Sequence, residues 1–240
     1  MLLSFDGKVY LAQAGTASSV AVGSAGIDTA TKIANPAQAD AAFFALLDQA
    51  EGMTSEYKKA PFLKSIIEQL PLSNATSQNM KKMFLELILP MVTNLNNKTA
   101  RTACLSAIFN TLKYDQIKAK ASFQIIKPEI LMALIEAASV FINTENNAKN
   151  DEDAAAAILG TAITNLANAG LSNSNTSPYL RQILNKAKTL KDPTLKNELF
   201  TTCYKKISLT IKQPADRKDL FVAEGLGDTY QKLLKGQKLD

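Results

Sequence analysis

The chain has 240 residues, of which 46% are hydrophobic, and a formal net charge of +5 at pH 7. It contains two cysteines, no tryptophan and no histidine. The absence of histidine removes the commonest general base and most zinc and haem sites, so we expect a protein that is not an enzyme and uses no cofactor or metal. No run of about 18 apolar residues occurs, which predicts that no helix crosses a membrane.

Residues 1–36 are predicted to form a short N-terminal arm, either irregular or hairpin-like. Asp6 and Gly7 are a turn signal with β-forming residues after it, which favours a small hairpin. Residues 12–34 are rich in small side chains and only weakly periodic, so we expect them to be loosely packed. The first residues lack the basic region of a signal peptide, and the chain is predicted to be cytoplasmic, with both cysteines as buried, reduced thiols.

Residues 37–240 are predicted to form one helical-repeat domain, because apolar side chains recur there every three or four positions. Asn35 followed by Pro36 is typical of a helix start. A later stripe of apolar residues is expected to face the core, and Pro90 to kink or end its helix. The residues of this stripe are Met80, Met83, Phe84, Leu87, Ile88 and Met91.

Residues 105–127 are predicted to form the end of one helix, a short break and a second helix. Ile108 and Phe109 of the first helix are expected in the core. In the second helix, the spacing predicts that Ile117 and Ile125 lie on one side, and Pro128 is expected to start a further helix.

The full pattern gives roughly nine or ten helices joined by short loops, with about 40 residues for each helix pair. That spacing predicts an all-α fold, an α-solenoid of stacked antiparallel helix pairs with degenerate repeats of the HEAT, TPR or PCI-like kind. A solenoid leaves a long curved surface free, and such surfaces bind other macromolecules. We therefore expect a role in protein–protein interaction.

The last quarter of the chain is basic. From Pro178 to Asp240 there are 13 lysines and arginines against 7 aspartates and glutamates. This surplus predicts a partner-binding surface that docks on an acidic protein or touches rRNA phosphates at its periphery; the alternative is an ordinary solvated surface. The candidate residues are Lys205, Lys206, Lys212, Arg217 and Lys218.

One stretch, residues 100–127, resembles a known family. The matching positions are Arg101, Leu105, Ser106, Ile108, Phe109 and Asn110, followed after a polar break by Ile125, Ile126 and Lys127. This pattern is similar to the helical-repeat region of the m subunit of eukaryotic translation initiation factor 3, a PCI-type family, and the order of helices is similar over about residues 60–225.

The resemblance implies a non-catalytic scaffold subunit of a large cytoplasmic assembly, which binds neighbouring subunits and supports recruitment of the small ribosomal subunit in protein biosynthesis. Two alternatives stay open from the residues alone. One is an unrelated helical adaptor or bacterial effector that binds a host or partner protein. The other is an enzyme that works with carboxylates or lysine.

Overall fold

The computed structural model describes residues 2–5, 8–13, 16–21, 24–142, 151–237 and 239. Three strands at the N-terminus pair antiparallel in sequence order: β1 (Leu2–Phe5), β2 (Lys8–Gln13) and β3 (Thr16–Ala21). The predicted turn at Asp6 and Gly7 lies outside the described residues. Every described element from Ser24 onward is a helix, which confirms the prediction of helices packed on helices.

Two compact units divide the chain, Met1–Ile130 and Leu131–Asp240. None of the helices in the described residues is both long and apolar enough to cross a bilayer. The domain boundary expected near residue 36, and the stacking of the helices as a solenoid, stay predictions.

Unit 1 is built around the pairing of α3 with α6, and α1 packs on α2 and α3. Its core contains the apolar residues Phe43, Leu63 and Ile66 of these helices, together with Phe84 from the π-helical turn Met83–Ile88. The α-helices that begin in this unit are α1 (Ser24–Lys32), α2 (Pro36–Gly52), α3 (Glu56–Gln69), α4 (Ser77–Lys82), α5 (Leu89–Thr93), α6 (Lys98–Leu112) and α7 (Ala121–Ala137).

Unit 2 has α11 at its centre, packed on α9 and α10, while α12 packs on α10 and α13. An aromatic cluster closes this core, because Tyr204 meets Phe221 and Tyr230 edge-on. The α-helices that begin in this unit are α8 (Ser139–Ile142), α9 (Glu152–Asn165), α10 (Ser177–Thr189), α11 (Pro193–Thr210), α12 (Pro214–Ala223) and α13 (Gly227–Leu234).

The first helix lies inside the segment that was expected to be a loose lead-in. Residues 24–32 form α1, and Ile27 and Ala30 on one face of it are buried. Small side chains let this helix approach α2 and α3 closely, so burial of one narrow face compensates for weak sequence periodicity. The expectation of irregular structure is therefore wrong for these residues.

Pro90 has a different effect from a simple kink. The helix opens into a π-helical turn over Met83–Ile88, in which the Leu89 amide donates to the Phe84 carbonyl. A proline ring clashes with the carbonyl four residues earlier and offers no N–H to it, and the wider turn relieves this conflict at Glu86. The chain then continues as α5. Four residues of the predicted stripe are buried, but Leu87 and Met91 are only half-buried, so the expectation that the whole stripe faces the core is wrong for these two.

The predicted second helix of residues 105–127 begins later than expected and extends further. Residues 113–120 are a loop, and α7 begins only at Ala121. Both isoleucines assigned to its apolar side are exposed, Ile117 at 95% and Ile125 at 68%. The predicted restart at Pro128 is also wrong, because α7 runs through this residue, with Phe123, Ile126, Ile130 and Leu131 buried on either side of it.

Candidate functional site

The five candidate cationic residues lie on or between two consecutive helices of unit 2. Lys205 and Lys206 are in the last turns of α11, Lys212 follows that helix, and Arg217 and Lys218 belong to α12. Lys205, Lys212 and Lys218 are exposed, whereas Lys206 and Arg217 are half-buried. The fold thus places all five residues near the connection between α11 and α12.

Arg217 differs from the four lysines because its guanidinium has an internal role. Its Nε donates to the carbonyl of Ile211 and its terminal nitrogen to the carbonyl of Lys212, at 2.9 Å. Carbonyls at the end of an α-helix lack donors within the helix, and the planar guanidinium supplies two in a fixed geometry. We therefore assign Arg217 to the support of this connection rather than to direct contact with a partner.

Lys205, Lys206, Lys212 and Lys218 make no ion pair and no side-chain hydrogen bond within the described part of the chain. Neighbouring lysines of unit 2 behave differently. Lys186 lies 2.7 Å from the Glu136 carboxylate, and Lys188 donates to the Glu224 carbonyl at 2.8 Å. The lysines of α10 stabilise the unit, while those around α11 keep their charge available to an external anion.

An exposed leucine lies among these lysines. Leu209 on α11 is 81% exposed, and Lys205 and Lys206 precede it by one helical turn. Lys212 follows it three residues later. We call these four residues the Leu209 surface: Lys205, Lys206, Leu209 and Lys212.

Sequence reasoning found the lysines of this surface but not its leucine. The buried stripe of α11 contains Leu199, Cys203 and Ile207, spaced four residues apart. Leu209 follows Ile207 by two residues, which at 3.6 residues per turn points to the opposite side of the helix. A helical projection of residues 193–210 therefore predicts that Leu209 is exposed.

A cleft of about 690 Å³ lies beside this connection. Arg181 and Lys212 contribute positive charge to its lining, and Asp216 and Asp219 contribute negative charge. The four charges balance, so this cleft has no strong preference for an anion or a cation.

The described residues offer few groups for catalysis. They hold no group of three His, Cys, Asp or Glu side chains that could bind a metal ion. Burial raises the pKa of the Cys104 thiol to about 11 and raises that of Cys203 further, so both stay protonated at neutral pH and are poor nucleophiles. Burial also lowers the pKa of Lys127, but its ammonium donates to the Tyr114 carbonyl and supports the loop before α7.

No family model, no curated protein and no solved structure matches this chain.

Proposed function

We propose that this protein is a non-catalytic helical scaffold that binds an acidic protein through the Leu209 surface. The observation that carries the proposal is the position of Leu209, an exposed leucine flanked by three lysines that have no ion pair or side-chain hydrogen bond with any described residue. Such a surface complements a partner on which carboxylates surround an apolar pocket. The leucine supplies desolvated contact area, and the lysines supply charge complementarity and a faster encounter.

A protein partner explains the apolar residue better than RNA does. RNA-binding surfaces combine cations with exposed aromatic side chains that stack on bases. Three aromatic residues of unit 2 are instead packed against each other, since Tyr204 meets Phe221 and Tyr230 edge-on. RNA contact at the periphery is accordingly a competing outcome of the experiment below.

In its most specific form, the proposal is the one that the resemblance of residues 100–127 implies. The scaffold is then a subunit of the cytoplasmic initiation factor 3 assembly, with its helices stacked as solenoid repeats and its partners the neighbouring subunits. The general proposal does not depend on this form, because the Leu209 surface lies outside residues 100–127.

Crosslinking mass spectrometry on the protein in its native lysate tests the general proposal. An amine-reactive crosslinker should join Lys205, Lys206 and Lys218 to a second protein, while Lys186, which lies against Glu136, serves as the internal control. Crosslinks to initiation factor subunits support the specific form. Crosslinks from these lysines only to this chain contradict the proposal.

Two variants then separate protein binding from RNA binding. Leu209→Ser should weaken binding to a protein partner by about tenfold or more, because it removes the apolar anchor but leaves every charge in place. Ile125→Ser is the matched control, since Ile125 is also an exposed apolar residue on a helix, α7 of unit 1. If Leu209→Ser leaves binding unchanged, and binding falls steeply with salt and disappears on ribonuclease treatment, the lysines contact RNA and the protein-docking proposal is wrong.

A further inference from the structure

The loop before α7, residues 113–120, presents one isoleucine almost fully to solvent. Ile117 is 95% exposed, although the loop around it is extensively hydrogen-bonded. The Asp115 carboxylate accepts from the amides of Ile117 and Lys118, at 3.1 and 2.9 Å. Gln124 donates to the carbonyls of Tyr114 and Asp115, at 3.1 and 2.9 Å. The hydrogen-bonded backbone of the loop therefore fixes the Ile117 side chain in a solvent-exposed position.

The charges of this loop are mainly positive. Lys113, Lys118 and Lys120 are exposed, and the carboxylate of Asp115 is occupied by the two amides just described. The Lys120 amide also donates to the Pro71 carbonyl at 3.0 Å, which links the loop to the 3-10 turn that follows α3. A fixed apolar side chain among cations loses little conformational entropy on binding, so it is suited to an apolar pocket with an acidic rim.

Unit 1 also contains a groove with an apolar floor and an acidic rim. It has a volume of about 500 Å³, within the range of pockets that enclose small ligands or side chains. Lys59 is the one cation in its lining, and its ammonium donates to the Glu51 carbonyl at 3.1 Å. We call it the acidic groove; its principal lining residues are Glu51, Glu56, Glu86, Met53, Leu87 and Met91.

The apolar floor of this groove follows from the π-helical turn. Leu87 and Met91 belong to the predicted core stripe but are only half-buried, because the wide turn before Pro90 displaces this part of the helix relative to an α-helix. Methionine side chains adapt to varied apolar partners, so a floor of this kind can accept an inserted side chain. Glu86 at the rim is exposed and sits on the π-helical turn itself.

The loop and the groove lie at opposite ends of α6. The groove is lined by Asn94 and Leu95 just before this helix, and the loop follows directly after Leu112. Fifteen helical residues span about 22 Å, so Ile117 cannot reach the groove of its own chain. Two complementary surfaces at the two ends of one rigid element are the arrangement that produces head-to-tail association.

We propose that the Ile117 loop of one copy inserts into the acidic groove of a second copy, so that the protein associates head to tail through unit 1. The isoleucine contacts Leu87 and Met91, and the loop lysines lie against Glu51 and Glu86. This contact uses residues of unit 1 alone, whereas the residues of the Leu209 surface belong to unit 2, so the inference does not rest on the proposed function.

Sedimentation analysis of the purified full chain tests this inference. We expect the weight-average mass of the wild type to rise with protein concentration between about 1 µM and about 1 mM, the range of small interfaces. Ile117→Asp should weaken association by about 30-fold, the effect of losing a central anchor, and Glu86→Lys by about tenfold through like-charge repulsion.

The decisive measurement mixes the two variants. The Ile117→Asp protein keeps an intact groove and the Glu86→Lys protein keeps an intact loop. At a concentration where the wild type associates and each variant alone is mainly monomeric, an equimolar mixture of the two should therefore form a 1:1 complex. Leu209→Asp is the matched control and should associate like the wild type. Leu209→Asp removes the apolar residue proposed to bind the partner protein but should leave self-association unchanged. Loss of partner binding and loss of self-association are therefore tested by different variants, so failure of one proposal is distinguishable from failure of the other.

Three results would overturn the inference. The first is a wild type that stays monomeric over the whole concentration range. The second is a mixture of the two variants that does not associate. The third is a monomeric wild type that binds phosphatidylserine vesicles and loses this binding in Ile117→Asp, which would assign the loop to an anionic membrane instead of a second copy.

Discussion

Replacement of Phe109 by alanine tests the burial of α6 in the core of unit 1. Phe109 is 5% exposed, and the preceding Ile108 is 1% exposed, which confirms the sequence-based prediction that both residues lie in the core. Alanine keeps the helical backbone because its helix propensity is the highest of all residues. The substitution therefore isolates the loss of packing around the ring.

The expected magnitude combines a transfer contribution and a cavity contribution. Truncation removes on the order of 120 Å² of buried apolar surface, which corresponds to about 3 kcal/mol at about 25 cal/mol per Å². A residual cavity of about 50 Å³ adds about 1 kcal/mol. We expect Phe109→Ala to lower the free energy of unfolding by about 4 kcal/mol, within the range of measured Phe-to-Ala substitutions.

Urea unfolding followed by far-ultraviolet circular dichroism measures this change. Tyr57→Ala is the matched control, since Tyr57 lies on α3, the partner helix, but is 90% exposed. Its removal should change the free energy of unfolding by less than about 0.5 kcal/mol. A loss below about 1 kcal/mol for Phe109→Ala, at an unchanged denaturant slope, would refute the assigned helix face.

Two further predictions concern carboxylates of unit 1 that accept hydrogen bonds. The buried Asp40 carboxylate of α2 accepts three hydrogen bonds from the start of α4, at 2.7–3.0 Å. Asp40→Ala should therefore lower the free energy of unfolding by about 3 kcal/mol in a thermal or urea melt. Asp48→Ala, at an exposed site of α2, should change it by almost nothing. Equal effects of the two variants would contradict this role. The Glu56 carboxylate accepts from the amides of Asn96 and Asn97, both at 2.8 Å, which holds the pKa of Glu56 below its ordinary value of 4.5. The folded state therefore favours the charged form of Glu56. The carboxylate's contribution to the free energy of unfolding is complete above pH 4.5, and it is lost as the pH falls through the lowered pKa that Glu56 has in the folded state. In urea unfolding at several pH values, the stability gap between wild type and Glu56→Gln should be largest near neutral pH and narrow in acid; a gap that stays constant down to pH 3 would show that these hydrogen bonds do not favour the carboxylate.

Helix starts were predictable because they depend on a few adjacent residues. Asn35 accepts from the Gln38 amide at 3.2 Å, and Asp192 accepts from the amides of Thr194 and Leu195, so both residues cap helices whose first turn contains a proline. A short polar side chain at this position satisfies amides that have no partner within the helix. The information required is local, so no knowledge of the tertiary fold was needed.

The loop before α7 shows where local reasoning failed. The spacing of Ile117 and Ile125 is compatible with a helical stripe, but the Asp115 carboxylate binds the next amides and ends α6 in a turn. Donors from the following helix, Gln124 and Lys127, then fix the carbonyl of Tyr114. These contacts join residues 10 and 13 positions apart, and they outweigh the periodic pattern.

The Leu209 surface was predictable in part. A count of charges along the sequence identifies Lys205 and Lys212, because a surplus of cations in one segment does not depend on the fold. Which cations are already paired does depend on it. Lys188 donates to Glu224, a residue 36 positions away, and Arg217 supports the end of α11, and neither role is visible in the composition.

By itself, the sequence determined that this protein is built from helices after its first residues, where most of them start, and which apolar stripes are buried. These properties follow from hydrogen bonding and side-chain spacing within one or two helical turns. Only the tertiary structure decided which isoleucines and leucines stay outside the core, which lysines keep a free charge, and where a proline opens a groove. Each of these outcomes depends on groups that are distant in sequence and compete for the same buried surface or the same hydrogen-bond donor.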